Sequence, residues 1–306
     1  MPNVLRIGTR GSDLALWQAR TISELLRELG YRPSLTIIKT RGDKIDNVPF
    51  SKLEGKNFFT KELEEAQLDG RVDLAVHSLK DLATTMPDGL VLAAMVGRED
   101  ARECLLARQE SLAPARCASG QILPLKDGAV IGTGAARRQV QVRRLRPDLK
   151  IKELRGNVPT RVNRLREGVY DAILLAQAGL KRLELDLSDL HVQPLAVDAF
   201  VPAPAQGMLG IQCRDEDDLV AGLARLNCAD AARAVTAERV LLERLDGGCR
   251  LPFGVNVRRS DDGWKLEAFL ADSPTDTAPL RLSLTGDSPE DLVEEAWKPL
   301  RHKRQA

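Results

Sequence analysis

The chain lacks most of the features that announce a partner at once. Its 45 lysines and arginines stand against 44 aspartates and glutamates, a formal charge of +1, and without a basic excess it does not read as a nucleic-acid binder. No apolar run approaches the length of a membrane helix, and Met1-Pro2-Asn3-Val4 opens straight into a strand-like pattern without the basic and apolar regions of a secretion signal. No membrane association and a cytoplasmic location are therefore expected. The histidines are three, His77, His191 and His302, and lie far apart. The five cysteines, Cys104, Cys117, Cys213, Cys228 and Cys249, are odd in number, widely spaced and free of any Cys-x-x-Cys pair. Reduced thiols are predicted, with no disulfide frame and no metal site. There is no internal repeat or low-complexity tract. What remains is 306 residues, 43% hydrophobic and 29% charged, an ordinary globular composition with room for two or three domains.

Strand and helix patterns alternate through the first two thirds. Residues 4–9 alternate as a strand, Arg10-Gly11-Ser12 turns, and residues 14–29 carry Trp17, Ile22, Leu25, Leu26 and Leu29 near one helical face. A strand at 35–40 completes a βαβ unit, whose ligands gather at the carboxyl ends of the strands. Arg10, Ser12, Arg41 and Asp43 fall at such ends. Residues 51–59, with Lys52, Gly55 and Lys56, have loop composition and precede a helix at 60–69. The buried strand 73–77 delivers Ser78-Leu79-Lys80-Asp81 to the ligand-side edge. The same residues also suit plain capping, with Lys80 in solvent. His77, inside the strand, reads as a satisfied core residue.

After a strand at 90–96, Gly97-Arg98-Glu99-Asp100 marks a boundary and a second βα region begins. The strand 129–133 ends in Gly134 before a helix running from Ala135 to about Arg146, with Arg137 and Arg138 in its first turn. A strand leading through glycine into a helix N-terminus is a generic anion cradle. Arginines there also read as a solvated face. Repetition favours the cradle: a strand at 151–154 leads to Arg155-Gly156-Asn157 and a helix at 159–167 with Arg161 and Arg164, and a strand at 171–176 leads to Lys181 and Arg182. Basic residues recur at one end of successive strands, as a pocket for several carboxylates or phosphates requires. The proline-rich residues 201–207 read as a hinge before a strand at 208–213.

From Asn227 a smaller unit follows: a helix over 231–245, strands at 255–259, 264–271 and 280–285, and a helix opened by Ser288-Pro289-Glu290-Asp291, with a basic tail, Arg301 to Arg304, expected to fray. Gly247 and Gly248 end its first helix, glycine supplying the left-handed cap, and Pro252 prevents resumption, so Cys249 sits on a short stiff loop. A thiol so placed is either packing or chemistry. The negative end of a helix disfavours thiolate, partly offset by Arg250; a cysteine that reacts once and stays bonded tolerates this better than one regenerated every cycle.

With these motifs in order, Thr9-Arg10-Gly11-Ser12-x-Leu14-Ala15-Leu16-Trp17-Gln18-Ala19, Thr40-Arg41-Gly42-Asp43, Lys61-Glu62-Leu63-Glu64, Val76-His77-Ser78-Leu79-Lys80-Asp81, Arg137-Arg138-Gln139, Leu154-Arg155-Gly156-Asn157-Val158-x-Thr160-Arg161 and Gly247-Gly248-Cys249, the chain resembles the porphobilinogen deaminase (hydroxymethylbilane synthase) family essentially end to end. The resemblance implies an α/β fold of two periplasmic-binding-protein-like lobes with mixed sheets plus a small α+β C-terminal domain, a three-stranded antiparallel sheet with helices. The expected division is 1–97 with 207–224, 98–206, and 225–306. It further implies a monomeric transferase of tetrapyrrole, porphyrin and haem biosynthesis. The enzyme joins four porphobilinogen units, each losing ammonia to give an azafulvene-type electrophile, into linear hydroxymethylbilane on a dipyrromethane cofactor held by a thioether to Cys249.

Under that resemblance each residue type has a reason. Positive charge develops on a pyrrole nitrogen, so a fixed carboxylate is wanted, and Asp81 is the residue for that role and for proton shuttling. Every ring brings an acetate and a propionate, which calls for several guanidinium forks: Arg10, Arg137, Arg138, Arg155 and Arg161. Lys56, Lys80, Ser12, Ser78 and Gln206 are further polar contacts. The chain also departs from the family pattern. Gly134-Ala135 stands where two serines are common, Gly55-Lys56-Asn57 where Gly-Lys-Gly is usual, Leu82-Ala83 lacks a common proline, and Ala205 replaces a frequent glycine. The rival reading is a two-lobe binding protein for a small anionic ligand, without catalysis; it would usually carry a secretion signal and would not need Cys249. A nucleic-acid module built on residues 137–146 is disfavoured by the near-neutral charge.

Overall fold

The computed structural model describes residues 4–40, 60–247 and 251–305. Along the chain, β1 (Val4–Thr9), α1 (Asp13–Glu28), β2 (Arg32–Ile37), α2 (Lys61–Leu68), β3 (Leu74–Ser78) and β4 (Leu90–Val96) come first. Then follow β5 (Glu103–Arg108), α3 (Pro114–Ala118), β6 (Val130–Gly132), α4 (Ala136–Leu145), β7 (Lys150–Lys152), α5 (Val158–Arg166), β8 (Ala172–Ala176), α6 (Gln177–Leu183) and β9 (Leu190–Leu195). The remainder is β10 (Leu209–Arg214), α7 (Asp217–Ala224), α8 (Ala229–Arg244), β11 (Phe253–Ser260), β12 (Gly263–Leu270), β13 (Leu280–Gly286) and α9 (Pro289–Gln305). By contacts the chain forms two compact units, Met1–Glu99 with Ala205–Thr236, and Asp100–Pro204 with Ala237–Ala306.

The first unit is built on a five-stranded sheet of order β2-β1-β3-β10-β4. β1, β2 and β3 are parallel and β10 runs antiparallel to both neighbours, so the carboxyl ends of β1, β2, β3 and β4 share one edge with the start of β10. Helices cover both faces, which is why residues 74–77 of β3 are all buried. Ile22 and Leu26 of α1 and Leu219 and Leu223 of α7 are buried with Ile7, Leu74, Val76 and Ile211. Across the sheet, a Cβ at Gly8 would come 3.0 Å from Val72 and 3.2 Å from Leu63 of the loop and helix on that side.

The second unit repeats the plan in the order β7-β6-β8-β5-β9, β5 being the antiparallel strand. The alternating residues of β5 serve two cores. Leu105 and Ala107 join Val142 of α4 and Phe200, while Cys104 and Leu106 join Val162 and Leu165 of α5 and Leu180 of α6. The same unit holds the antiparallel sheet β11-β12-β13, backed by α9 and joined to α4 through Val140, Val201, Phe269 and Ala271.

Several local expectations need correction. β5 and β9 are absent from the sequence reading: β5 offers only four apolar residues between charged flanks, and β9 is an edge strand that carries Pro194, a residue tolerated only where no ladder donor is needed. β2 begins three residues before the expected strand. The basic tail does not fray, because Lys303 of α9 bridges Asp272 at 2.6 Å and Asp276 at 3.1 Å. The left-handed residue that ends α8 is Asp246, at φ +47°, not Gly247. Gly247 N–H donates to Leu242 C=O at 3.0 Å and Asp246 N–H to Glu243 C=O at 2.8 Å, the paired bonds of a Schellman cap. At 247 a Cβ would stand 2.6 Å from a Leu242 methyl and 2.9 Å from a Leu251 methyl, so those two side chains would have to shift to admit one.

Candidate active site

In the first unit, the ligand-side edge collects Arg10, Ser12, Ser78, Lys80, Asp81 and Gln206. Ser12 caps α1, its hydroxyl accepting from Ala15 N–H at 3.4 Å. Ser78 ends β3 and accepts from Gln18 Nε2 at 2.6 Å, which leaves its own O–H to donate. A single 3-10 turn, Leu79–Asp81, follows. Leu79 anchors it, wholly buried among Leu82, Ala205, Met208 and Val235. With Leu79 pinned inward, Lys80 lies half-buried and donates to Gln206 Oε1 at 3.2 Å, while Asp81 points outward. The Asp81 carboxylate makes no hydrogen bond or ion pair with any described residue. Asp100, in the second unit, is bound by Arg102 at 2.7 Å, and those hydrogen bonds hold it below the usual carboxylate range.

Beneath this edge runs a buried polar chain. His77 Nε2 lies 3.1 Å from Gln212 Oε1, which also accepts from Gln67 Nε2 at 3.0 Å. An amide oxygen only accepts, so Nε2 carries a proton and donates it. Burial, with the Arg10 charge nearby, lowers His77 to about 4 despite the Gln212 bond. It is a core residue, and it cannot act as a base at the site.

Its depressed pKa sets a direction for stability. Unfolded, this histidine takes up a proton near its ordinary 6.5; folded, it resists until about 4. The native state is therefore favoured above pH 6.5, and that advantage, up to about 3 kcal/mol, is lost as pH falls from 6.5 to 4. His77→Gln should flatten this part of the profile, as read from urea midpoints at pH 7 and pH 4.5. Equal slopes in variant and parent would contradict the assignment.

On either side of Gln206, Ala205 has φ +60° and Gly207 φ +89°. A Cβ on Gly207 would fall 2.1 Å from Glu99 C=O, so glycine is required there. Ala205 occupies a left-handed conformation that costs an L-residue about 1–2 kcal/mol.

In the second unit the corresponding edge carries Glu103, Arg137, Arg138, Arg155 and Arg161. The turn after β6 is tight: a Cβ at Gly134 would lie 3.2 Å from Leu154 C=O, so a side chain there would press on that backbone. Ala135 gives α4 no side-chain cap, and the first-turn N–H groups of α4 form a positive helix end suited to an anion. Gly156, at φ +98°, turns the chain into α5, whose Asn157 cap accepts from Thr160 N–H at 2.9 Å. Arg155 Nε donates to Glu153 at 2.9 Å and Arg161 Nε to Gly156 C=O at 2.7 Å, which stiffens this turn.

Arg137 and Arg138 do not form a solvated face. Both are buried, 6% exposed, on one carboxylate. Arg137 Nη2 donates to Glu103 Oε1 at 2.7 Å, and Arg138 Nε and Nη2 donate to Oε2 at 3.0 and 2.6 Å. Glu103 escaped the sequence reading together with its strand. The signal was an acid heading an apolar run, which can be buried only with cationic partners.

Cys249 and Lys56, with Arg41 and Asp43, lie outside the described residues. The described residues beyond Cys249 approach the arginines, for a Cβ at Gly254 would stand 2.8 Å from Arg137 Cδ and 2.8 Å from Pro202 C=O. Of the described cysteines, Cys104 and Cys213 are buried and burial pushes their thiols up to about 12, which makes them inert packing. Among the described residues no helix is long and apolar enough to cross a membrane. The donor set, an uncapped helix start with guanidinium groups beside it, fits a small group bearing several carboxylates, as dipyrromethane does.

Comparison with known proteins gives the same chemistry. A family model described as porphobilinogen deaminase, dipyromethane cofactor binding domain, matches residues 5–222, and one described as porphobilinogen deaminase, C-terminal domain, matches 232–301. The chain is 46% identical over 297 residues to porphobilinogen deaminase of Maridesulfovibrio salexigens, covering 96% of this chain and 91% of that one. It is 40% identical over 305 residues to the Streptococcus sanguinis enzyme of the same name, covering 98% and 96%. Among solved structures, the periplasmic VFT2 domain of Bordetella pertussis BvgS superposes with a TM-score of 0.44 at 12% identity, over 74% of this chain and 87% of that one. Matched along nearly all of its length by both family models and by these two relatives, the chain belongs to the porphobilinogen deaminase family.

Proposed function

We propose that Asp81 is the catalytic carboxylate and Cys249 the attachment point in a transferase that joins four porphobilinogen units, with loss of ammonia, into hydroxymethylbilane. The reaction and the dipyrromethane group come with the family. The observation that carries it is the state of Asp81: an exposed carboxylate, bonded to no described residue and held on a turn whose neighbours are pinned. Bound dipyrromethane supplies a covalent primer, so the acceptor need not be captured afresh at each addition.

The chain's own residues do the rest. As ammonia leaves the aminomethyl arm of porphobilinogen, positive charge spreads toward the pyrrole nitrogen, and the Asp81 carboxylate stabilises it there. The same carboxylate receives the proton released when the new carbon–carbon bond forms. Arg10, Arg137, Arg138, Arg155 and Arg161, with the first turn of α4, take the acetate and propionate arms through charge-assisted bonds of about 1.5–3 kcal/mol each. Ser12, Ser78, Lys56, Lys80 and Gln206 add polar contacts, Lys80 being steadied by Gln206. Residues 225–306 form the attachment domain in this reading, and the chain works as a cytoplasmic monomer without nucleic acid, the last supported by its formal charge of +1.

Intact-mass measurement tests the attachment. Protein matured with porphobilinogen should weigh more than its translated sequence by one dipyrromethane, and Cys249→Ser should lack the increment. Unmodified wild-type protein, or an increment that survives the substitution, overturns the assignment.

A further inference from the structure

Glu103 heads β5 with its side chain wholly enclosed. Its two oxygens are divided between the arginines, Oε1 to Arg137 and Oε2 to Arg138. Each guanidinium has a second anchor on the main chain: Arg137 Nη1 donates to Val201 C=O at 3.0 Å, and Arg138 Nη1 to Leu174 C=O at 2.8 Å. The stem of Arg137 is confined from another side by Gly254, where even a Cβ would intrude. Neither guanidinium can rotate without breaking buried bonds. Arg137 still has its Nε hydrogen and one hydrogen on each terminal nitrogen, and Arg138 one on each terminal nitrogen. One carboxylate against two guanidiniums leaves a net charge of +1.

Stability alone does not account for such a cluster, since apolar side chains of like volume commonly hold a core as well or better. We infer that Glu103 is a positioning residue for the reaction: it locks Arg137 and Arg138 in one orientation at one net positive charge, so that the acid arms of the growing chain meet a preset donor array. This rests on the reading that places both arginines on those arms. The reduced charge has a further use, because each added ring brings two more carboxylates and a site of bare guanidiniums would hold the finished tetrapyrrole too tightly to release it.

The test compares Glu103→Gln, which keeps the size but offers a single acceptor oxygen, with Glu103→Asp, which keeps the charge one methylene short of bridging both partners. Each is matured with porphobilinogen, and kcat and KM are expressed per primer-loaded molecule counted by intact mass. Glu103→Gln should lower kcat/KM about tenfold or more, mostly through KM, and Glu103→Asp about two- to fivefold. A merely structural Glu103 would reduce melting temperature and yield while leaving kcat and KM per loaded molecule at wild-type values, and that result overturns the inference. If Glu103→Gln gives no soluble protein, Glu103→Asp decides by the same criterion. Arg137→Lys and Arg138→Lys, made with Glu103 intact, separate the two layers: wild-type kinetics in both would remove the arginines from the acid arms, a failure of the underlying reading and not of the lock.

Discussion

Asp81→Asn is expected to lower kcat about 10²–10⁴-fold, a loss of about 3–5 kcal/mol of transition-state stabilisation, with little change in fold or primer loading. Asparagine keeps the shape and one acceptor oxygen but neither the charge nor the capacity to take a proton, so the effect falls on the step in which charge develops. The structure makes this a clean substitution. Asp81 is exposed and bonds to no described residue, whereas the anchoring of its turn comes from Leu79, Leu82 and the Lys80–Gln206 contact. A surface change of this kind alters stability by only about 0.5 kcal/mol. Initial rates at saturating porphobilinogen, melting temperature and intact mass together decide it. A variant that carries the primer, melts like the parent and turns over within tenfold of it removes Asp81 from the chemistry.

The halves of the site differ in how far the sequence reveals them. Ser78, Lys80 and Asp81 are contiguous, and a buried strand followed by a polar turn at the edge of a parallel sheet is a local pattern. The strands around them were legible for the same reason: both faces are covered, so they appear as short apolar runs between turn residues. Arg137 and Arg138 were legible as basic residues at a helix start, but their state was not. Their partner lies 34 and 35 positions earlier, on a strand too short and too closely flanked by charge to register. The cap of α8 failed at a finer level. Two glycines predicted where a left-handed residue would stand, and the position went to Asp246, since aspartate tolerates that conformation. The ordered tail has the same origin as the missed Glu103, a long-range ion pair, here from Lys303 to two aspartates about thirty residues earlier.

Glu103→Leu should destabilise the protein by about 3–5 kcal/mol, the range found when one partner of a buried ion cluster is removed. Leucine matches the volume, so no cavity term is involved. The cost arises because Arg137 and Arg138, 7% and 8% exposed at the side chain, keep their charges with only two main-chain carbonyls to receive them. Burial already pulls the Arg137 guanidinium below its usual range against the opposing pull of Glu103, and an arginine does not shed its proton to escape. The triple variant Glu103→Leu, Arg137→Met, Arg138→Met is the informative partner. Removing all three charges should restore stability to within about 1 kcal/mol of the parent, because the desolvation penalty disappears along with the attraction. Urea midpoints for the parent, single and triple variants measure both steps. Should the single variant lose less than about 1 kcal/mol, the carboxylate is not what keeps the two cations buried. Recovery of stability in the triple variant, with turnover still lost, would place the value of the cluster in what it presents to the ligand and not in what it adds to the fold.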